Sequence, residues 1–182
     1  ALWGGSKIMR LPKTPSFRLD ARRALVTGAG RGIGRAAAAA LADAGAHVFA
    51  AARTKNEIEL LSEMIRDQGG QATALPLDVM NLEAVRVAVR NHGPFQILVN
   101  NAGTNRPALL NDITEEDYDD VTDLNVRSVI FLTQAVAMGL QEARLPGSII
   151  NISSQMGHVG GPKRTVYCAT KHALEGTTKA LA

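Results

Sequence analysis

The sequence predicts an α/β protein built on a doubly wound parallel sheet, with helices covering both faces. Two observations support this fold class. Short apolar runs alternate five times with longer stretches of helical periodicity, and glycines cluster directly after the first apolar run. Right-handed crossovers between parallel strands place the intervening helices on both faces of the sheet. With 182 residues, 46% of them hydrophobic, the chain is long enough for one domain with a substantial core.

Five strands and five helices are expected in strict alternation along the chain. Short apolar runs bounded by turn residues predict strands at 23–28, 46–52, 71–79, 95–103 and 147–153. The longer periodic stretches predict helices at 34–45, 55–70, 81–93, 114–143 and 165–182. Thr114, with Asp117 three residues later, is a helix-start signature for the fourth of these helices.

The positive charge of the chain is concentrated at its beginning. Residues 1–23 carry six basic residues and one acidic residue, whereas the remainder carries fourteen basic and sixteen acidic residues. Residues 1–21 are therefore expected to be an irregular basic arm, and residues 22–182 the folded domain. Because the basic excess lies in the arm, a nucleic-acid-binding surface on the domain is not expected.

Several other partners and environments are not expected from the composition. Cys168 is the single cysteine, so no disulfide can form within these 182 residues, and a reducing compartment is favoured. No uninterrupted apolar run approaches the ~20 residues of a membrane helix, and the first residues lack the apolar run of a signal peptide. The four histidines show no metal-ligand spacing. A cytoplasmic protein without a membrane partner or metal is expected.

The turn between the first strand and the first helix reads TGAGRGIG at 27–34. In a doubly wound fold this turn binds phosphate, because glycines let backbone amides approach a pyrophosphate at the helix N-terminus. We expect Gly28 to end the strand, Gly32 to admit the pyrophosphate, and Gly34 to let the helix pack closely on the strand. The usual G-x-G-x-x-G spacing is absent, so a merely tight turn is the alternative.

The spacing Thr27-Gly28-x-x-x-Gly32-Ile33-Gly34 resembles that of the short-chain dehydrogenase/reductase family. Four further features strengthen the resemblance: NNAG at 100–103, LDV at 77–79, the asparagine in DLNVRSVIFL, and a serine followed by Tyr-x-x-x-Lys at the family's spacing. The resemblance covers residues 22–182 and implies a Rossmann fold. Members of the family continue into a segment that covers the substrate and into a sixth and a seventh strand. The sequence to Ala182 does not include these elements.

Two expectations follow from that comparison of lengths. The fifth strand would lie at an edge of the sheet, exposing Ile149, Ile150 and Ile152, and exposed apolar edges favour aggregation. The 182-residue chain is accordingly expected to be a poor enzyme or none.

The resemblance implies a dinucleotide cofactor bound by the glycine turn, the ends of the second and third strands, the NNAG motif and the last helix. The residues expected to bind it are Gly28, Gly30, Arg31, Gly32, Ile33, Gly34, Arg53, Asp78, Val79, Asn101, Ala102, Gly103, Tyr167 and Lys171.

NADP(H) is the expected cofactor, and NAD(H) is the alternative. An acidic residue at the end of the second strand would bind the ribose 2′-hydroxyl of NAD, but Ala52 stands there and is followed by Arg53. An uncharged residue removes repulsion toward a 2′-phosphate, and a guanidinium can bind it. Arg31 in the glycine turn is expected to approach the same phosphate. That Arg31 and Arg53 are ordinary solvated arginines is the alternative.

Tyr167 and Lys171 lie one helical turn apart and are the expected centre of catalysis. Reduction of a ketone requires a hydride on carbon and a proton on oxygen, and a nicotinamide supplies the hydride. A free phenol, with a pKa of about 10, is too weak an acid near neutrality, whereas a neighbouring cation favours the phenolate. Taken alone, the two residues could also be an ordinary helix pair.

The resemblance also implies a role for each catalytic residue. Tyr167 would be the general acid/base, and Lys171 would also hold the nicotinamide ribose. Ser154 would hydrogen-bond the substrate oxygen, and Asn125 would support a water that relays protons to Lys171. Gln155, Met156 and His158 lie where the family lines its substrate pocket.

The expected function is therefore hydride transfer between NADP(H) and a carbonyl or secondary alcohol, of the ketone, sugar or 3-oxoacyl type. A non-catalytic dinucleotide-binding or scaffolding module is the alternative, and an epimerase or dehydratase using the same fold is a weaker one. Relatives pair through their two long helices. A homodimer or homotetramer through helices 114–143 and 165–182 is therefore expected.

Overall fold

A computed structural model describes residues 14–182 and shows a five-stranded parallel sheet with helices on both faces. The strands are β1 (Arg23–Thr27), β2 (His47–Ala52), β3 (Gln71–Pro76), β4 (Ile97–Asn100) and β5 (Ser148–Asn151). The helices are α1 (Gly32–Asp43), α2 (Lys55–Asp67), α3 (Leu82–His92), α4 (Glu115–Thr122), α5 (Ser128–Ala143) and α6 (Thr165–Leu181). Short 3₁₀ turns lie at Leu110–Asp112 and Gln155–Gly157. The predicted fold class is confirmed.

The strand order is β3-β2-β1-β4-β5, and neighbouring strands are parallel throughout. The direction of winding reverses between β1 and β4. In open sheets of this kind, ligands bind outside the carboxyl ends of the strands where this reversal occurs. The topology therefore places a candidate site where β1 and β4 end, at the glycine turn and the NNAG motif.

The single helix predicted for 114–143 was wrong in its continuity. A π-helical segment, Asp123–Arg127, separates α4 from α5. The apolar periodicity continues through this segment, so the sequence pattern does not reveal the wider turn. The predicted start is confirmed, because Thr114 Oγ1 accepts a hydrogen bond of 3.1 Å from the Asp117 amide.

Alternate residues of the central strands supply two separate apolar layers. Ala24 and Val26 of β1 belong to the layer under α1 and α2, whereas Leu25 belongs to the layer under α3 and α5. A parallel strand covered on both faces is buried along its whole length, which explains the continuous apolar run in β1. The alanine-rich α1 has little side-chain bulk and packs closely on the sheet.

The last residues of the expected arm contact the domain, while residues 1–13 of the arm lie outside the described residues. Leu19 packs against the layer under α1 and α2, and its amide donates to Ala44 O at 2.8 Å. Arg18 Nη1 donates to Asp43 O at 3.0 Å. A cation at the C-terminal end of α1 complements the helix dipole. The packed part of the chain thus begins before residue 22.

Strand β5 forms one edge of the sheet, as expected. Ile150 is 44% exposed, whereas Ile149 and Ile152 each pack against one of the two apolar layers. The expectation of three exposed isoleucines was therefore correct for one of them. Of the helices in residues 14–182, none is both long and apolar enough to cross a membrane.

Candidate active site and cofactor cavity

The glycine turn after β1 needs residues without a side chain for two different reasons. Gly28 and Gly32 adopt left-handed backbone conformations, with φ of 61° and 55°. A Cβ on Gly34 would collide with the carbonyl oxygen of Gly28 and the side chain of Asn101. Gly34 therefore allows α1 to pack on the end of β1, as its spacing predicted.

Two side chains join the carboxyl ends of β1 and β4. Thr27 Oγ1 donates to Val99 O at 3.2 Å and accepts from the amides of Asn101 and Ala102 at 3.0 and 3.1 Å. Asn101 Nδ2 donates in return to the carbonyls of Thr27 and Gly28 at 2.9 and 3.1 Å. These bonds hold the glycine turn beside the NNAG motif. Thr27 was part of the predicted spacing Thr27-Gly28-x-x-x-Gly32, but its bonds to β4 were not predicted.

A cavity of about 320 Å³ opens at this edge of the sheet. Its walls come from the glycine turn, the ends of β2 and β3, the NNAG motif and the first turn of α2. It is lined by Gly28, Gly30, Arg31, Ala52, Arg53, Thr54, Glu57, Leu77, Asp78, Val79, Asn101, Ala102, Gly103 and Leu124.

Nine of the residues expected to bind a dinucleotide line this cavity, and five do not. Gly32 lines a separate groove between α1 and α2, Ile33 is 64% exposed, and Gly34 is buried beneath the turn. Tyr167 and Lys171 lie beyond the cavity on α6. Sequence reasoning did not identify Thr54, Glu57, Leu77 or Leu124 as wall residues.

The N-terminus of α1 is suited to an anion. The residue before the helix, Arg31, makes no side-chain capping bond, and the first turn contains no acidic residue. The free amides and the helix dipole together favour a phosphate at this end. Arg31 and Arg53 are both exposed, and no carboxylate in the described residues lies within ion-pair distance of either guanidinium.

The structure brings Tyr167 and Lys171 together. Lys171 is 7% exposed, and its Nζ lies 5.6 Å from the centroid of the Tyr167 ring. The same Nζ donates to Ile152 O, at the end of β5, with a distance of 2.8 Å. Burial lowers the pKa of Lys171, because desolvation disfavours the ammonium. The lysine thus places a cation against the tyrosine ring at the carboxyl edge of the sheet.

Asn125 lies in the π-helical segment and is 1% exposed. Its Oδ1 accepts from the Thr104 amide at 2.9 Å, and its Nδ2 donates to Thr104 O at 2.9 Å and to Thr170 Oγ1 at 3.1 Å. Both N–H donors are used, so the side chain joins the loop after β4 to α6. The water relay implied by the resemblance stays a prediction.

Ser154 lies in the loop that leads from β5 to α6, and its Oγ accepts from the Met156 amide at 3.2 Å. Of the expected substrate-contacting residues, Gln155 is exposed, while Met156 and His158 contact α6. Met156 Sδ lies 3.7 Å from Cys168 Sγ, and His158 Nε2 lies 3.4 Å from Glu175 Oε1. This loop is therefore fixed to the same helix that carries Tyr167.

Ser153 is distinct from its neighbour Ser154. Its Oγ is buried without a partner in hydrogen-bond geometry and lies on the side facing Gly157 and Glu175. Proximity of the Ser153 hydroxyl, followed by the charge of His158, holds the pKa of Glu175 below its ordinary value. Residues 14–182 contain no group of three or more His, Cys, Asp or Glu side chains that could hold a metal ion.

Comparison with known proteins places this architecture in a family. The family model described as short chain dehydrogenase matches residues 22–182. The chain belongs to the short-chain dehydrogenase/reductase family, as its motifs predicted.

Two enzymes and one solved structure illustrate the similarity. L-xylulose reductase of Bos taurus is 42% identical over 166 residues, which cover 91% of this chain and 66% of that protein. D-erythrulose reductase of Gallus gallus is 41% identical over 168 residues, which cover 92% of this chain and 67% of that protein. The solved structure is a gluconate 5-dehydrogenase from Burkholderia cenocepacia in complex with NADP and tartrate. It is 38% identical with a TM-score of 0.85, and the match covers 91% of this chain and 66% of that one. The chain thus spans about two thirds of the length of these relatives.

Proposed function

We propose that the protein transfers a hydride between NADP(H) and a carbonyl or secondary alcohol substrate. The observation that carries the proposal is the contact between Tyr167 and the buried Lys171 at the sheet edge that holds the cavity. Gly103, in the cavity wall, lies against Asn125, and Asn125 bonds Thr170 beside Lys171. A continuous set of contacts therefore links the cavity to the tyrosine.

The residues present fit a dinucleotide. The uncapped N-terminus of α1 would hold the pyrophosphate, and Asp78 and Val79 lie in the wall where the adenine would bind. NADP(H), when bound, supplies or accepts the hydride. The proton comes from the chain's own residues. Tyr167 donates it to the carbonyl oxygen, and the Lys171 ammonium stabilises the phenolate that remains. Ser154 hydrogen-bonds the substrate oxygen, which fixes it within reach of the phenol.

Preference for NADP(H) over NAD(H) is part of the proposal. Ala52 removes the acid that would bind a ribose 2′-hydroxyl, while Arg31 and Arg53 bring two unpaired guanidiniums to the same cavity. The related gluconate 5-dehydrogenase was crystallised with NADP, which supports this preference. A sugar ketone is the substrate class that the names of the similar reductases favour, with a 3-oxoacyl thioester as the second class to test.

The proposal is tested by replacing Tyr167 with phenylalanine in the full-length protein. Tyr167→Phe removes only the transferable proton, so kcat on the best ketone should fall by about 10²- to 10⁴-fold. The dissociation constant for NADPH, measured by nicotinamide fluorescence, should change less than about twofold. Tyr118→Phe is the matched control, because Tyr118 is 52% exposed on α4, away from the cavity.

Two results would contradict the proposal. Near-normal ketone reduction by Tyr167→Phe would remove the tyrosine from the chemistry. Tight NADPH binding by the unaltered protein, without turnover of any sugar ketone, simple ketone or 3-oxoacyl thioester, would favour the non-catalytic dinucleotide-binding module instead.

A further inference from the structure

One wall of the cofactor cavity is acidic. Glu57, in the first turn of α2, lines the same cavity as Arg31 and Arg53. Its side chain lies directly over the glycine turn: a Cβ on Gly30 would collide with Glu57 Oε2 and lie 2.9 Å from Glu57 Cβ. Gly30 does not adopt a left-handed conformation, so a side chain here is disfavoured by the close approach of Glu57 and not by the backbone of the turn.

Glu57 is exposed, and its carboxylate has no polar partner within residues 14–182. In the described part of the chain it makes no hydrogen bond, and neither arginine of the cavity lies within ion-pair distance of it. Thr54, which precedes α2, makes no side-chain capping bond either. The region where Arg31 and Arg53 would bind a phosphate therefore also contains one uncompensated negative charge.

We propose that Glu57 is a specificity-determining residue that limits the preference for NADP(H). Its charge repels a 2′-phosphate, which is dianionic or nearly so, but has no such effect on a neutral 2′-hydroxyl. A carboxylate can also accept a hydrogen bond from that hydroxyl. Glu57 thus supplies from the neighbouring helix part of the negative charge that Ala52 does not supply from β2. This inference rests on the proposed NADP(H) site.

The test measures dissociation constants for NADPH and NADH in Glu57→Gln, which keeps the shape of the side chain over Gly30. A unit charge acting across partly solvated space on a phosphate changes affinity by about threefold to tenfold. We expect NADPH to bind tighter by that factor, and NADH to bind equally or slightly more weakly. The NADPH gain should shrink in high salt, because solvent-exposed charges are screened.

Glu59→Gln is the matched control. It removes the same charge from the same helix, but Glu59 is paired with Lys55 at 3.5 Å and does not line the cavity. The inference is overturned if Glu57→Gln leaves the NADPH constant unchanged, changes both constants equally, or is matched by Glu59→Gln. If the unaltered protein binds neither NADPH nor NADH, the cofactor proposal itself fails, and this inference fails with it.

Discussion

Replacing Asn125 with alanine tests whether the loop after β4 and the helix α6 are joined as the structure shows. The buried amide makes three hydrogen bonds, two to the backbone of Thr104 and one to Thr170. Alanine removes all three and leaves both Thr104 backbone groups without their partners. Because the segment is π-helical, the loss occurs where the regular helical bonds are already interrupted.

The size of the effect follows from these bonds. A buried hydrogen bond contributes about 0.5–1.5 kcal/mol net, and an abandoned buried group costs about 1–3 kcal/mol unless water reaches it. We therefore expect Asn125→Ala to lower the free energy of unfolding by about 2–5 kcal/mol. Against a typical total of about 5–15 kcal/mol, the variant should still fold, but with clearly reduced stability.

Urea unfolding followed by circular dichroism measures this loss. Asn56→Ala is the control, since Asn56 is exposed on α2 and the same substitution there should change the free energy by less than about 0.5 kcal/mol. Thr170→Val removes one of the three partners of Asn125, together with the bond from Thr170 Oγ1 to Tyr167 O, and should cost about 1–3 kcal/mol. A loss below about 1 kcal/mol in Asn125→Ala, at an unchanged denaturant slope, would refute the joining role.

Three further predictions concern packing, acid stability and assembly. Gly34→Ala should strongly destabilise the domain, because the added Cβ would collide with the Gly28 backbone. Gly176→Ala should raise Tm, because Gly176 lies within α6 with open space around it. A higher Tm for Gly34→Ala than for Gly176→Ala would contradict this packing. The ionised Glu175 carboxylate, with its depressed pKa, stabilises the fold fully above pH 4.5, and this contribution is lost as pH falls further. Glu175→Gln should therefore flatten the acid side of the Tm-against-pH curve, and an unchanged curve between pH 3 and 7 would exclude that role. The exposed Ile130 and Met138 on α5 favour association of two copies of the protein through this helix. Light scattering that finds only monomers of the full-length protein at micromolar concentration would contradict this prediction.

The order of elements could be predicted because each strand and helix has its own periodicity. The roles of the glycines after β1 could be predicted because a glycine cluster between a strand and a helix is typical of a phosphate-binding turn. The π-helical segment could not be predicted, since it depends on a tertiary contact. Asn125 bonds a loop that follows β4 and a helix that follows β5, and nothing local in DLNVR requires a wider turn.

The cavity wall could be predicted only in part for a similar reason. Residues on strand ends converge by topology, so Arg53 and Asp78 were expected there. Glu57 reaches the cavity from the flank of α2, and its contact with Gly30 depends on how α2 packs beside the glycine turn. One signal was present: Gly30, the second glycine of TGAG, is not required by the family spacing Gly28-x-x-x-Gly32.

Hydrogen bonds join α6 to the end of β5 and to the π-helical segment. The buried residues of α6 are Thr170, Lys171 and Leu174, of which only the last is apolar. Thr170 bonds Asn125, and Lys171 bonds the backbone at the end of β5. Thr178 accepts a hydrogen bond of 3.0 Å from Asn151, the last residue of that strand.

Polar attachment of this kind has a consequence for the chemistry. Hydrophobic attraction is non-directional, whereas hydrogen bonds weaken steeply with distance and angle. In the proposed reaction, proton transfer from Tyr167 would require its oxygen to lie within hydrogen-bond reach of the substrate, where small misplacements cost large factors in rate. The buried polar groups along α6 therefore specify the orientation of the helix that carries Tyr167. Burial of these groups is costly for stability on its own, and in the proposed mechanism it would serve to hold the tyrosine in position.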